Sequence, residues 1–335
     1  MAERDEPGTA PALRWGILGA GGIARTFAYA VGRHTSSQVV AVGSRSAERA
    51  QRFASLHGIP KSHGDYAALV ADPEVEAVYI ASPHSEHHEH ALLAIEAGRH
   101  VLVEKAFTQN AMQAAQVIDA ARAAGVFLME AMWTRFLPHV AELRRVVQRG
   151  EIGELVGMIA DHGQSMGHLP PTHRVHDPRL AGGALLDLGV YPVSFAHDLF
   201  GAPSVVRAVG SLTPTGVDGQ VAMALSHGER VQTSLHTTLW AQTATTAVVF
   251  GTTGRIEIAG RFYAPTSFVV VHADGTHWEY DGAVEGGFQY EVAEVSRCVA
   301  EGMQESPRMS WAGTLDVMGT LDEVRRQVGV VYPGE

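Results

Sequence analysis

The chain has 335 residues, 46% hydrophobic and 18% charged, and a formal net charge of -11 from 36 acidic and 25 basic side chains. That is enough apolar material for sizeable cores, which excludes general disorder, and at about 150 residues per domain it predicts two domains. An acidic chain with no long basic block is a poor binder of nucleic acid or anionic membrane, and one cysteine, Cys298, excludes a disulfide framework and a multi-cysteine zinc site.

Residues 1–12, MAERDEPGTAPA, lack the apolar core of a signal peptide and read as a disordered leader. No apolar run approaches the ~18 residues of a membrane span, so the expectation is a soluble cytoplasmic protein. Strand and helix patterns then alternate: strand 14–18, helix 23–31, strand 38–42, helix 48–57, strand 75–81, helix 86–97, strand 100–104, helix 111–124 and strand 126–130. Strands separated by helices of this length predict βαβ units, a doubly wound parallel Rossmann sheet with helices on both faces.

The pattern changes after Trp133. A helix is predicted over 140–149, a strand over 155–161, and a helix over 183–200 that Pro192 should weaken or kink. Seven strands follow, at 205–212, 220–225, 230–239, 247–250, 254–258, 267–272 and 277–280, too closely spaced to house crossover helices. They predict a large, mostly antiparallel open sheet. Helices at 290–301 and 314–328 end the chain. The fold class is therefore α/β followed by α+β, with a dinucleotide-binding domain at 13–133 and a substrate-binding and oligomerisation domain at 134–335, whose last helix is a candidate to pack back on the first.

Gly19-Ala20-Gly21-Gly22-Ile23-Ala24 fits G-x-G-x-x-A between a strand and a helix. The glycines allow a tight turn and close backbone approach to a pyrophosphate, Ala24 lets helix and strand pack, and the helix N-terminus presents free N–H groups to the anion. An NAD site usually carries an acid at the end of the second strand, but here the residues are Gly43-Ser44-Arg45-Ser46, with Arg49 one turn on. Arg45 can pair with a 2′-phosphate and the Ser44 hydroxyl can bond to it, so NADP is favoured over NAD.

The fifth strand ends in Glu104-Lys105-Ala106, at the strand terminus where α/β sheets bind ligands. Asp187 and Tyr191 lie one helical turn apart. A phenol, a lysine and a carboxylate in one cleft would relay a proton while hydride moves. Taken singly, each has a plainer reading: a surface lysine, a half-buried core tyrosine and a helix-surface acid. A free phenol or ammonium titrates near 10, so either needs its site to lower that value before it serves as a base at neutral pH.

Together, the 19–24 loop, Ser82-Pro83-x-x-x-His87, the run from Ala97 to Lys105 and the stretch from Gly182 to Tyr191 resemble the glucose–fructose oxidoreductase / inositol dehydrogenase / MocA family. The segments from Glu130 to Pro138, from Asp187 to Tyr191 and from Gly287 to Glu291 resemble one branch of it, the dimeric dihydrodiol dehydrogenases and NADP-linked D-xylose dehydrogenases. The resemblance implies an NADP-dependent oxidoreductase moving hydride between nicotinamide and a hydroxyl of a sugar or cyclic diol. It implies that Lys105 and Tyr191 are catalytic with Asp187 in support. Ser82, Pro83, His87 and Glu104 would lie beside the cofactor, and Trp133, Arg135 and Phe136 near the substrate mouth. Arg174, in a His-Arg-x-x-x-Pro segment similar to one in relatives, would touch substrate or cofactor. Relatives pair through the second sheet, which implies a homodimer. Ala106 stands where the family has proline. A non-proline cis bond costs about 2.5–4 kcal/mol, so a trans peptide is expected there.

His84, His87, His88 and His90 crowd one stretch without a compelling acid or cysteine partner, so no metal site is predicted. His162, His168, His173 and His176 read as polar lining or surface, and Cys298 as core packing. Two alternatives remain open: a ketoreductase of a nucleotide-linked sugar, and a non-catalytic NADP-binding regulatory protein of the same fold.

Overall fold

The computed structural model describes residues 6–335 and divides them into two compact units. The first runs through Trp133 and takes in Gly286–Thr314. The second comprises Thr134–Glu285 and Leu315–Glu335. The sequence placed everything after residue 133 in the second. The return of Gly286–Thr314 to the first has a packing reason, because the helix it carries lies against the first helix of the chain.

In the first unit, strands β1 (Arg14–Leu18), β2 (Gln38–Gly43), β3 (Lys61–His63), β4 (Ala77–Ile80), β5 (His100–Glu104) and β6 (Leu128–Ala131) alternate with helices. These are α1 (Gly22–His34), α2 (Ala47–His57), α3 (Tyr66–Ala71), α4 (His87–Glu96) and α5 (Ala111–Ala124). The sheet is parallel in the order β3-β2-β1-β4-β5-β6, so the order reverses between β1 and β4, where such sheets bind ligands. Local chemistry sets the helix ends. Ser46 and Asn110 accept from the N–H groups of Arg49 and Gln113 at the starts of α2 and α5, and Gly58 and Gly125 end them in left-handed conformation. The short β3 and α3 escape the sequence reading, although Asp65 caps α3 by accepting from Ala68 N–H. Buried Trp15, Phe27 and Tyr79 stack through the core from β1 to α1 to β4.

Residues 1–5 of the predicted leader lie outside the described residues. From residue 6 on, the disordered-leader expectation fails. Pro7–Thr9 forms a 3-10 turn, Ala10 is buried, and Arg297 donates to the Glu6 carbonyl at 3.3 Å. Arg297 belongs to α8 (Phe288–Ala300), which supplies that packing surface.

The second unit starts with α6 (Pro138–Gln148), β7 (Leu155–Gly163) and α7 (Val190–Phe200). Then come β8 (Val205–Leu212), β9 (Asp218–His227), β10 (Val231–Thr238), β11 (Ala247–Gly251), β12 (Gly254–Ile258), β13 (Phe268–His272) and β14 (His277–Tyr280). The sheet order is β14-β13-β12-β11-β7-β10-β9-β8, antiparallel except for β7 and β10. Thr233, Leu235 and Thr237 on one face of β10 are buried, as the alternation predicts. On the other face Ile159 and Val209 are exposed. Helix α9 (Trp311–Val328) begins in the first unit and ends in the second. The helix predicted over 183–200 does not run as one regular α-helix through Pro192. Pro192 sits in the first turn of α7, directly after a π turn at Leu185–Gly189, whose wider spacing precedes the residue that has no N–H to donate.

Candidate active site

The phosphate loop is built from backbone. Gly19 has φ of 106°, and a Cβ there would come 2.9 Å from the Ala81 carbonyl oxygen, so only glycine fits beside β4. At Gly21 and Gly22 a Cβ would meet nothing within 4 Å. Helix α1 has no side-chain cap and no acid in its first turn, leaving its N–H groups directed at an open cradle. Ala24 is buried against the sheet and Ile23 is partly exposed at the rim. These residues fit a dinucleotide pyrophosphate.

At the end of β2, Ser44 is buried and its hydroxyl accepts from Ser46 N–H at 3.3 Å. Arg45 is exposed, but its Nη1 donates to Glu86 Oε1 at 2.7 Å, and its charge acts on the nearby Tyr66 phenol. Arg49 is exposed on the first turn of α2. An acid therefore does stand at this position, delivered from the turn after β4 and invisible in the sequence around β2. Beyond β4, Pro83 leads into that turn, and Ser82 Oγ lies 2.9 Å from His90 Nδ1. His87 was expected beside the cofactor, but the structure buries it completely. Its Nε2 is 2.8 Å from the Ser82 carbonyl oxygen and its Nδ1 3.0 Å from that of Ala106. Burial pulls its pKa down to about 4 against the opposing pull of the two carbonyls, and the neutral ring donates its single N–H to one of them while packing against the other.

The Lys105–Ala106 peptide is cis, against the expectation of trans. Tertiary contacts outweigh the local preference: Ala106 is fully buried with its carbonyl at His87, and Glu130 Oε1 accepts from Phe107 N–H at 3.2 Å. Glu104 is buried, accepts from the Tyr79 hydroxyl, and takes the Lys105 N–H at 3.1 Å. Near it on α8 is Glu291, wholly buried with neither carboxyl oxygen hydrogen-bonded. Burial first, and the Glu104 charge second, hold its pKa well above the ordinary carboxyl value. Trp133 packs edge-on against Phe288 at 4.8 Å.

In the second unit, Asp187 and Tyr191 are both buried, one in the π turn and the other in α7. Arg174, expected at a ligand, forms a forked ion pair with Asp187 at 3.0 and 3.2 Å. Tyr191 is flanked by Tyr263, which sequence reasoning missed, and by His162, which it read as polar lining or surface near Lys105 and Tyr191. The Tyr263 ring lies 4.5 Å from that of Tyr191 and the His162 ring 5.3 Å, with His162 and Tyr263 stacked at 4.4 Å. His162 is buried between the Leu188 carbonyl and Gln164, not at the surface. Burial raises the Tyr263 pKa, so its phenol stays protonated. Nothing in the irregular segment around Tyr263 signals this role. Asp218 accepts from Leu185 N–H at 2.6 Å and anchors the π turn, while a Cβ at Gly183 would collide with its carboxylate. Arg135 and Phe136, expected at a substrate mouth, point inward: Arg135 donates to the Ser194 hydroxyl and carbonyl, both at 3.2 Å, and Phe136 is buried. Cys298 is buried, with its thiol pKa pushed up to about 12. Among the described residues no cluster of three His, Cys, Asp or Glu is placed to hold a metal ion.

A doubly wound sheet with a glycine cradle, followed by a large open sheet, defines a nucleotide-dependent oxidoreductase. Residues 13–132 match the oxidoreductase family with an NAD-binding Rossmann fold, and 140–257 match the GFO/IDH/MocA C-terminal domain. The chain belongs to the Gfo/Idh/MocA family and is a dehydrogenase acting on CH–OH groups. It is 39% identical to a trans-1,2-dihydrobenzene-1,2-diol dehydrogenase of Mus musculus, over 96% of this chain and 98% of that one. The Homo sapiens enzyme of that name is 37% identical over the same shares. Among solved structures, a 3-ketoreductase from Actinomadura kijaniata in complex with TDP-benzene and NADP is 26% identical. It superposes with a TM-score of 0.82 over 95% of this chain and 98% of its own. A levoglucosan dehydrogenase complexed with NADH and levoglucosan shares the fold, with a TM-score of 0.85 at 22% identity over 97% of this chain and 100% of its own.

Proposed function

We propose that the protein is an NADP-dependent dehydrogenase of a trans-dihydrodiol or a related cyclic polyol such as D-xylose. The observation that carries this reading is the setting of Tyr191, flanked by Tyr263 and His162, with Asp187 on the same helical segment paired to Arg174 from a loop, in a chain whose relatives are trans-diol dehydrogenases. Aromatic faces suit the apolar side of a cyclic diol, and a phenol suits its hydroxyl.

The backbone at Gly19, Gly21, Gly22 and Ile23 would hold the pyrophosphate, and Ser44, Arg45 and Arg49 the 2′-phosphate. Bound nicotinamide supplies the hydride acceptor in the oxidative direction. Tyr191 Oη takes or returns the proton of the reacting hydroxyl. Lys105 supplies positive charge that favours the oxyanion. Asp187 holds Arg174 and fixes the start of α7. Glu104, through its contact with the Lys105 N–H, sets the course of the chain at the lysine. The same reading includes a cytoplasmic location. It also includes a homodimer through the open face of the second sheet, which the exposed Ile159 and Val209 support.

The test is a spectrophotometric screen of NADP and NAD reduction with trans-dihydrobenzenediol, aldoses and inositols. NADP reduction with the diol or D-xylose is expected, and absence of turnover with every substrate overturns the proposal. Lys105→Met and Tyr191→Phe should each lower turnover by about a hundredfold or more while NADP still binds.

A further inference from the structure

The acid at Arg45 has a consequence for cofactor choice. Arg45 pairs with Glu86 at the end of β2, and Arg49 lies close enough for its charge to act on the neighbouring Tyr66. Tyr66 and His90 complete the group. Burial holds the Tyr66 phenol above its ordinary value and the His90 imidazole below its own, so both are neutral at pH 7. Glu86 is mostly buried, and its Oε2 has no hydrogen-bond partner. Arg45 is 69% exposed. With its arginine partner this open to solvent, the pair is screened and holds Arg45 without locking it.

We infer that Glu86 is a specificity-determining residue that sets the ratio of NADP to NAD use. The inference rests on the proposed role of Arg45 toward a 2′-phosphate. Glu86 supplies from the β4 side the carboxylate that β2 lacks. When the ribose carries free hydroxyls, Glu86 accepts from them and keeps Arg45 folded against itself. When the ribose carries a 2′-phosphate, the dianion outbids a single carboxylate for Arg45, and the Glu86 charge opposes it across the same guanidinium. The cation alone would select NADP. The cation paired with Glu86 accepts both nucleotides and gives up part of its preference.

Calorimetric binding of two fragments, 2′,5′-ADP and 5′-ADP, to the full chain and its Glu86→Gln and Arg45→Ala variants tests this without turnover. Glu86→Gln should tighten 2′,5′-ADP about fivefold or more and leave 5′-ADP equal or weaker. Steady-state kinetics should move the NADP-to-NAD ratio of kcat/KM the same way. Arg45→Ala should weaken 2′,5′-ADP about tenfold and spare 5′-ADP. If Glu86→Gln, confirmed folded by an unchanged thermal midpoint, leaves the fragment ratio within twofold while Arg45→Ala lowers it, the Glu86 inference is wrong and the Arg45 reading stands. If Arg45→Ala leaves the ratio unchanged, the Arg45 reading falls and this inference falls with it. A Glu86→Gln variant that does not fold is replaced by Glu86→Asp, which withdraws the charge by one methylene and should move the ratio in the same direction by less. An unmoved ratio there overturns the inference.

Discussion

The phosphate loop of the first unit and the surroundings of Tyr191 in the second are built on opposite plans. The loop uses consecutive residues and almost no side chains: one turn, one open cradle and one uncapped helix start. The Tyr191 region gathers side chains from scattered segments, with His162 from β7, Arg174 from a loop, Asp187 from the π turn and Tyr263 from the connection after β12. A site made of backbone is intolerant at one or two positions and indifferent elsewhere. A site made of side chains spreads its dependence over many positions, including some that touch no ligand.

The largest expected effect breaks the backbone plan outright. Gly19→Val combines a left-handed φ with a Cβ beside the Ala81 carbonyl, and should abolish cofactor binding and lower Tm sharply. Gly21→Ala, where a Cβ meets no protein atom, should leave Tm within about 2 °C yet weaken NADP at least about tenfold, read by fluorescence titration. Equal loss of Tm in both would show that the loop is structural rather than a cradle.

Next comes the anchor of the scattered plan. Asp218→Ala frees the buried Leu185 N–H and should cost about 2–3 kcal/mol in chemical denaturation, with kcat falling more than KM rises. An unchanged kcat would separate the π turn from catalysis.

Acid distinguishes the two units. The folded-state pKa values of His87, His139 and His197 are depressed to about 4, about 4 and about 3 by burial. Each stays neutral in the fold while its unfolded counterpart protonates near 6.5, so stability falls as pH drops below that value. The loss is about 3 kcal/mol or more per histidine once pH ~4 is reached. His139 and His197 lie in the second unit, so hydrogen exchange at pH 5 should show it opening first. Asp218, raised to about 6, and Glu291, also raised, run the other way: each costs stability as pH rises from the unfolded carboxyl range through its folded value. Asp218→Asn should therefore flatten the profile between about pH 4 and 6. A second unit that outlasts the first in acid would contradict the assignment.

The smallest effect probes one member of the aromatic group. Tyr263→Leu should raise KM for a cyclic diol by about three- to tenfold and leave kcat within about twofold. A large loss of kcat would move Tyr263 from packing to proton transfer.

What the sequence disclosed follows the same division. Features set by neighbours in the chain were legible: the limits of β5 and α5, the phosphate loop, and the alternating faces of β10. Features set by distant contacts were not. The pairing of Arg45 with Glu86 joins residues 41 apart, and the aromatic group around Tyr191 draws on β7 and a loop beyond β12. The cis peptide at Ala106 and the inward turn of Arg135 belong to this second class, because burial and partners from elsewhere override what the local residues prefer. The first turn of α3 shows an intermediate case, where Asp65 offered a cap signal too short to stand out.

The return of Gly286–Thr314 to the first unit makes Thr134–Glu285, the larger part of the second unit, an insertion in topological terms, and leaves Leu315–Glu335 to complete the second unit. A nascent chain makes all six strands of the nucleotide sheet early, but α8, which covers α1 and bonds Ser37 through Ser296, emerges only after the whole eight-stranded sheet has been translated. Synthesis therefore delays completion of the first unit until most of the chain exists. A ribosome paused at the end of β14 would hold a second sheet with every strand made beside a nucleotide unit whose α1 face is still uncovered, and that interval is where a chaperone would find its apolar surface.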